Sequence, residues 1–349
     1  MKAKSSAFSR DMDRQEFLHC LGAGAIGLGW VHRGFAGASA RTAGTKLLRG
    51  IFSIAQTPFT AADKLDLDAL IRQLGFIDRG GVHGFVWPQL ASEWSTLTES
   101  ERMTGMEAIG AAARKLRTAV VLGVQGTDLA AVRRYIKQAE RVGADAIISL
   151  PPAETADSKA LLNYYQEVGK STDLPMFVQA AGKMDVDLLV ELYRTIPTMR
   201  HVKDEVGDPL QRVGSLREKS HDEIKVFSGN HGRTMIEELE AGFSGTMPAA
   251  GLADLYATTF DLWQAGKRDE ARENHARTIE ALNTMLRYGM EGMKYVLVAR
   301  GVFNTYSVPT AASRGLSEAK NGSRNSALDD EGKQTLDALV AALKPHLKA

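Results

Sequence analysis

The chain has 349 residues and sets 43 Lys plus Arg against 42 Asp plus Glu, a formal net charge of +1. With no dense basic block it offers no electrostatic footprint for a phosphate backbone, and nucleic acid is not an expected partner. Hydrophobic residues at 44% and charged residues at 24% exclude disorder for the bulk of the chain, while a single cysteine, Cys20, forbids an intramolecular disulfide and a multi-cysteine zinc site.

Residues 1–40 differ in composition from the rest of the chain. Lys2, Lys4, Arg10 and Arg14 give a basic start, Phe17 to Gly29 is a Gly/Ala/Leu run, and Ala38-Ser39-Ala40 offers small residues to a signal peptidase. The run is too short to span a bilayer, so no stable membrane span is expected in a mature chain. Arg14-Gln15-Glu16-Phe17-Leu18 resembles the twin-arginine export signature, with Gln15 in place of the second arginine. The expectation is an exported, periplasmic or extracytoplasmic protein beginning at Arg41; the alternative is a cytoplasmic protein that keeps this segment.

From Leu48 onward, short apolar runs alternate with longer amphipathic stretches, the pattern of βα units. Strands are predicted to begin near Ile51, Gly84, Thr118, Ala146, Pro175, Arg200, Ile224 and Ser244. Between them, Asp66 to Asp78, Thr98 to Lys115 and Leu129 to Arg141 repeat apolar residues at three and four, as helices do. Eight such units fit a (β/α)₈ TIM barrel, which typically takes about 250 residues. A doubly wound sheet fits less well, because Thr57-Pro58-Phe59, and no glycine-rich phosphate turn, follows the first strand. The barrel is placed at 41–252 and a C-terminal helical extension at 253–349. In the latter, Thr258 to Tyr288, Met290 to Phe303 and Asp329 to Leu347 read as helices and Ser313 to Ser326 as a surface loop.

Active sites of such barrels lie at the C-terminal ends of the strands. Lys203 ends the sixth apolar run, Arg200-His201-Val202-Lys203. A lysine projecting into a closed barrel loses hydration, which disfavours its ammonium form and frees an amine for Schiff-base chemistry on a ketone. Taken alone, the same lysine fits a strand end whose head lies in solvent beside Asp204 and Glu205.

Several segments, in order, resemble the dihydrodipicolinate synthase and N-acetylneuraminate lyase family of class I aldolases. Ala55-Gln56-Thr57-Pro58-Phe59 is similar to its first-strand Ala-x-x-Thr-Pro-Phe. Gly80-Gly81-Val82-His83-Gly84 resembles the turn into strand two. Ser92-Glu93 through Glu101-Arg102 resembles Gly-Glu-x-x-x-Leu-x-x-x-Glu-Arg. His201-Val202-Lys203-Asp204 resembles the strand bearing the imine lysine, Phe227-Ser228-Gly229-Asn230 the Ser-Gly-Asp strand end, and Gly242-Phe243-Ser244-Gly245 the entry to strand eight. The resemblance covers roughly residues 48–310 and marks the chain as a divergent member. It implies a TIM barrel, an imine on Lys203, a small-molecule 2-keto acid substrate and a homo-oligomer, either tetramer or dimer.

The chain also departs from that pattern. Gln89-Leu90-Ala91-Ser92-Glu93 stands where the family has Gly-Thr-Thr-Gly-Glu, so the Leu90–Glu93 loop is expected to hold the substrate carboxylate through backbone donors and the Ser92 hydroxyl. Gln179 occupies the position of the family's proton-shuttling tyrosine, and a carboxamide has no titratable proton near neutrality. Pro151-Pro152-Ala153 replaces Pro-Tyr-Tyr. Other groups near Lys203 have alternative roles: His201 as a barrel layer residue, Asp204 and Glu205 as a solvated strand end or a cap for the helix near Pro209, and Tyr164 and Tyr165 as packing residues. Asn230 and His231 close strand seven. The eight histidines show no metal-ligand spacing, so neither metal nor cofactor is expected.

The expected function is a Schiff-base lyase, an aldolase or dehydratase acting on a 2-keto acid or 2-keto-3-deoxy sugar acid. Lys203 is catalytic, Leu90, Ala91, Ser92 and Glu93 hold the carboxylate, and Gln179, Asn230 and Thr246 border the rest of the pocket. The alternative is a non-catalytic keto-acid or sugar-acid binder of the same fold; the least specific reading is an oligomeric scaffold with an inert cavity.

Overall fold

Eight parallel strands close into a barrel in the computed structural model, which describes residues 46–152, 157–316 and 328–349. The signal-like residues 1–40, the expected start at Arg41, Ala153 and most of the Ser313–Ser326 stretch lie outside the described residues. In chain order the first half comprises β1 (Gly50–Ile54), α1 (Leu67–Arg79), β2 (Gly84–Trp87), α2 (Glu99–Ala113), β3 (Ala119–Gly123), α3 (Leu129–Val142), β4 (Ala146–Ser149) and α4 (Ser158–Gly169). The second half comprises β5 (Met176–Ala180), α5 (Val186–Thr195), β6 (Met199–Asp204), α6 (Pro209–Lys219), β7 (Lys225–Ser228), α7 (Met235–Glu240) and β8 (Gly245–Thr246). Each predicted strand start falls within one or two residues of an observed one, and β1 pairs with both β2 and β8.

Alternation divides the side chains between two cores. Phe52, Val86, Val121, Ile148, Phe177 and Phe227 fill the barrel interior. Ile51, Phe85, Leu122, Ile147 and Val178 point outward to the helices. The helices start where an aspartate follows a loop: the carboxylates of Asp66, Asp128, Asp157, Asp185 and Asp208 accept backbone N–H groups of the first turn. Each such cap contributes about 1 kcal/mol. Thr98 and Glu101 form a reciprocal capping box on α2.

One irregularity sets the orientation of β6. Met176 of β5 pairs with Met199, but Phe177 pairs with His201, so Arg200 is a one-residue bulge. Met199 and Val202 both face the outer core, three residues apart where plain alternation would put two. The bulge thus returns His201 and Lys203 to the interior.

The C-terminal region is helical, with α8 (Ala253–Gln264), α9 (Arg268–Leu286), α10 (Gly289–Ala299) and α11 (Asp330–Leu343). α8 follows β8 directly and packs on β1, so the eighth βα unit runs to Gln264, past the sequence-based boundary at 252. The single helix expected from Thr258 to Tyr288 is instead two, broken at Gly266, which adopts a φ of +77° that favours glycine. Asp254 of α8 and Arg300 beyond α10 form a buried bidentate ion pair, with N–O distances of 2.9 and 2.7 Å. Among the described residues no helix is long and apolar enough to cross a membrane.

Candidate active site

Lys203 reaches the mouth of the barrel from the end of β6 and is only 6% exposed. Its Nζ lies 3.1 Å from Oε1 of Glu205, the first residue beyond the strand. Glu205 is held from three sides. Its backbone N–H donates to the Ala180 carbonyl at 3.2 Å, prolonging the β5–β6 ladder. Its other carboxylate oxygen accepts from the Gln179 amide, and Gln179 stands directly opposite Lys203 in the sheet. On the β7 side the chain has Gly229, where a Cβ would lie 1.9 Å from Glu205 Oε1. Glycine is required there by the carboxylate it faces, since its own φ is ordinary.

Beyond Gly229 the chain turns sharply. Asn230 and His231 both have positive φ, 48° and 56°, a conformation uncommon outside glycine and tolerated best by residues such as Asn and His. Asn230 is exposed at the rim. Burial, then the charges of Lys203 and Arg233, lower the His231 pKa to about 4, so its imidazole is neutral at pH 7. Lys203, Glu205, Gln179 and His231 therefore form one polar group at the C-terminal mouth.

Other predicted candidates lie elsewhere. His201 is in the barrel floor, stacked on Phe177 with ring centroids 4.4 Å apart. Asp204 turns outward, its carboxylate 2.9 Å from Arg212 Nε on α6, while Asp208 caps that helix. Thr246, expected at the pocket edge, faces away from it. Phe227 and Met247 point inward, so alternation sends Ser228 and Thr246 outward, where their hydroxyls meet at 2.8 Å and Ser228 bonds to Glu238 of α7. Tyr165 packs behind the sheet, its hydroxyl 3.3 Å from the Ser149 carbonyl, and burial pushes its phenol well up. Tyr164 meets the Ser149 hydroxyl at 3.2 Å.

The expected anion loop is a tight turn, Leu90–Ser92, followed by Glu93 in the left-handed region at φ 54°. β1 and the residues after it hold the turn in place. Gln56, fully buried, donates to the Ala91 carbonyl at 3.3 Å and accepts from Ala250 N at 3.1 Å. Thr57 donates to the Ser92 carbonyl and accepts from the Trp87 indole at 3.0 Å. The N–H groups of Ser92 and Glu93 are taken by the Gln89 and Leu90 carbonyls. Among the described residues, what remains for an anion is the N–H groups of Leu90 and Ala91, at the open start of the turn, and the buried Ser92 Oγ, which has no hydrogen-bond partner there.

Sequence reasoning missed the underside of this loop. Glu93 Oε2 lies 2.5 Å from Nζ of Lys294, a fully buried lysine of α10, which also donates to the Ser307 carbonyl at 2.7 Å. Burial lowers the Lys294 pKa, and Glu93 opposes that shift. A lone lysine within Gly289-Met290-Glu291-Gly292-Met293-Lys294-Tyr295-Val296-Leu297 was the available signal, because a cation inside an apolar helical stretch needs a partner. Phe59 lies between Lys294 and Arg314, each 4.8 Å from its ring centroid, and Arg314 bonds to Glu101 at 2.5 Å. The C-terminal region thus supports the loop from below.

Residues 47–315 match the Dihydrodipicolinate synthetase family. A 4-hydroxy-tetrahydrodipicolinate synthase of Methanosarcina mazei is 26% identical over 185 residues, 51% of this chain and 62% of that enzyme, so the chain spans less than two thirds of this relative. The L-2-keto-3-deoxyarabonate dehydratase of Azospirillum brasilense is 24% identical over 248 residues, 67% of this chain and 79% of that enzyme. Among solved structures, a putative dihydrodipicolinate synthetase from Pseudomonas aeruginosa superposes with a TM-score of 0.74 at 24% identity, covering 85% of this chain and all of that one.

Proposed function

The chain belongs to the dihydrodipicolinate synthetase family, and from that premise we propose that it is a Schiff-base-forming lyase acting on a 2-keto acid or 2-keto-3-deoxy sugar acid. The observation that carries this reading is Lys203, buried at the C-terminal mouth of the barrel with its amine beside a carboxylate. The neutral amine of Lys203 attacks the C2 ketone, and loss of water leaves a protonated imine. That cation withdraws electrons from C3. An aldolase uses the pull to break the C3–C4 bond of a 4-hydroxy substrate as the 4-hydroxyl loses its proton. A dehydratase uses it to remove a C3 proton and expel the C4 hydroxyl as water. The Leu90–Glu93 turn holds the substrate carboxylate.

Two observations favour dehydration or a specialised cleavage over dihydrodipicolinate synthesis. The relative from Azospirillum brasilense is named as an L-2-keto-3-deoxyarabonate dehydratase, and Gln179 gives the end of β5 a carboxamide where synthesis would use a phenol. The same substitution motivates the non-catalytic alternative, a keto-acid or sugar-acid binder. We also propose a homo-oligomer, and an exported mature chain, on the resemblance and on the signal-like order of residues 1–40.

Hydride trapping separates the readings. Incubation with a panel of 2-keto acids and borohydride is expected to add one reduced ligand to the peptide containing Lys203, and Lys203→Ala to abolish the adduct. Labelling of another lysine would refute the role of Lys203, and labelling of none across the panel would refute imine chemistry and leave the binder.

A further inference from the structure

Resting on the imine reading of Lys203, the geometry points to Glu205 as a further catalytic residue, the group that carries protons to and from the Lys203 nitrogen in place of a phenol. Among the described residues it is the carboxylate that touches the reacting atom, with Oε1 3.1 Å from Nζ. General acid/base work needs a titratable group within hydrogen-bond reach of the proton it moves. Gln179 has none, and His231 is neutral and a weak base, with its pKa lowered to about 4.

The surroundings keep Glu205 in place. The Gln179 amide ties the second oxygen, so Oε1 is left to face the lysine. Gly229 leaves the space that any side chain would take from the carboxylate. Asp204, the adjacent acid, is engaged with Arg212 on the other side of the sheet. Glu205 remains 28% exposed along its side chain, which gives it a route to exchange protons with solvent. Gln179 is thus a positioning residue: it takes the place of a phenol in sequence and orients a carboxylate in space.

Protons balance through one cycle. Glu205 takes a proton from the Lys203 ammonium, and the free amine adds to the C2 carbonyl. A proton passes from nitrogen to oxygen to give the carbinolamine, and protonated Glu205 returns its proton to the departing hydroxyl. Water leaves, and the products are an iminium ion and a carboxylate. The same carboxylate then accepts the C3 proton as the enamine forms.

Pyruvate is the probe, and two rates are read on the full chain: borohydride-trapped adduct on Lys203, and exchange of the pyruvate methyl protons in D₂O followed by NMR. Glu205→Gln is expected to lower both by about 10²- to 10⁴-fold while its melting temperature stays close to that of the wild type. Wild-type rates in Glu205→Gln, with the adduct still on Lys203, would overturn the role of Glu205 and leave the imine reading intact. No adduct on Lys203 in the wild type would overturn both. If Glu205→Gln fails to fold, Glu205→Ala is assayed with added formate. Exchange that rises with formate supports the carboxylate role, and exchange that ignores formate overturns it.

Discussion

His201 makes the barrel floor a pH sensor of stability. The residue is 8% exposed, its ring stacked on Phe177, with Nδ1 lacking a hydrogen-bond partner among the described residues. Burial, followed by the charges of Lys225 and Arg200, lowers its pKa from 6.5 to about 4. As pH falls below 6.5 the unfolded chain takes up a proton here that the native chain refuses until about pH 4. The contribution is therefore complete above pH 6.5 and is lost on acidification across that window. At about 1.36 kcal/mol per pH unit, the loss by pH 4 is about 3 kcal/mol. Urea unfolding of the wild type and His201→Leu, from pH 7.5 down to pH 4, measures it. The variant loses the ring stack at every pH, so only the pH-dependent part of the difference reports titration. His201→Leu should gain about 3 kcal/mol on the wild type between the ends of the range. Parallel stability curves would refute a buried neutral His201.

Three further outcomes rest on particular contacts. Gly229→Ala places a methyl where Glu205 Oε1 now sits, so Lys203 trapping by borohydride should slow while far-UV circular dichroism is unchanged; unaltered trapping would mean that the carboxylate position does not matter. Arg300→Met removes the bidentate partner of the fully buried Asp254; calorimetry should show a loss of about 3–5 kcal/mol, and an unchanged melting temperature would contradict a stabilising pair. Terminal sequencing of the protein from native cells should begin at Arg41, and an intact Met1 on a cytoplasmic form, with no shorter form outside, would contradict export.

The barrel was legible because most of the strands are short apolar runs and the helices α1 to α6 each open on Asp or Thr. The C-terminal helices were less so. β8 is only two residues long, which let the strand pattern fade before α8, and the Gly266 break lies among helix-forming neighbours. Lys203 could be read as a candidate from its place at a strand end, and the ordered motifs strengthened it. The Glu205 contact could not be read, because it depends on the room left by Gly229 and on the register that sets Gln179 opposite Lys203. Thr246 was misplaced for a related reason: in so short a strand, the inward face is fixed by Met247 beyond it and by the pairing of Phe227 with Gly245.

The extra residue at Arg200 gives β6 two halves of opposite parity. Below it, Met199 belongs to the outer layer; above it, the odd-numbered positions own the interior. Pairing Arg200 itself with Phe177, with no residue set aside as a bulge, would carry the lower half's alternation into the upper half and turn the amine of Lys203 toward the helices, while Val202 swung inward. No substitution at position 203 would repair that, because the error would lie in the register. Conversely, a lysine placed by design in a regularly paired strand would need its position shifted by one to meet the same substrate. The reactive amine is thus specified by how the sheet pairs at one point as much as by residue type at another.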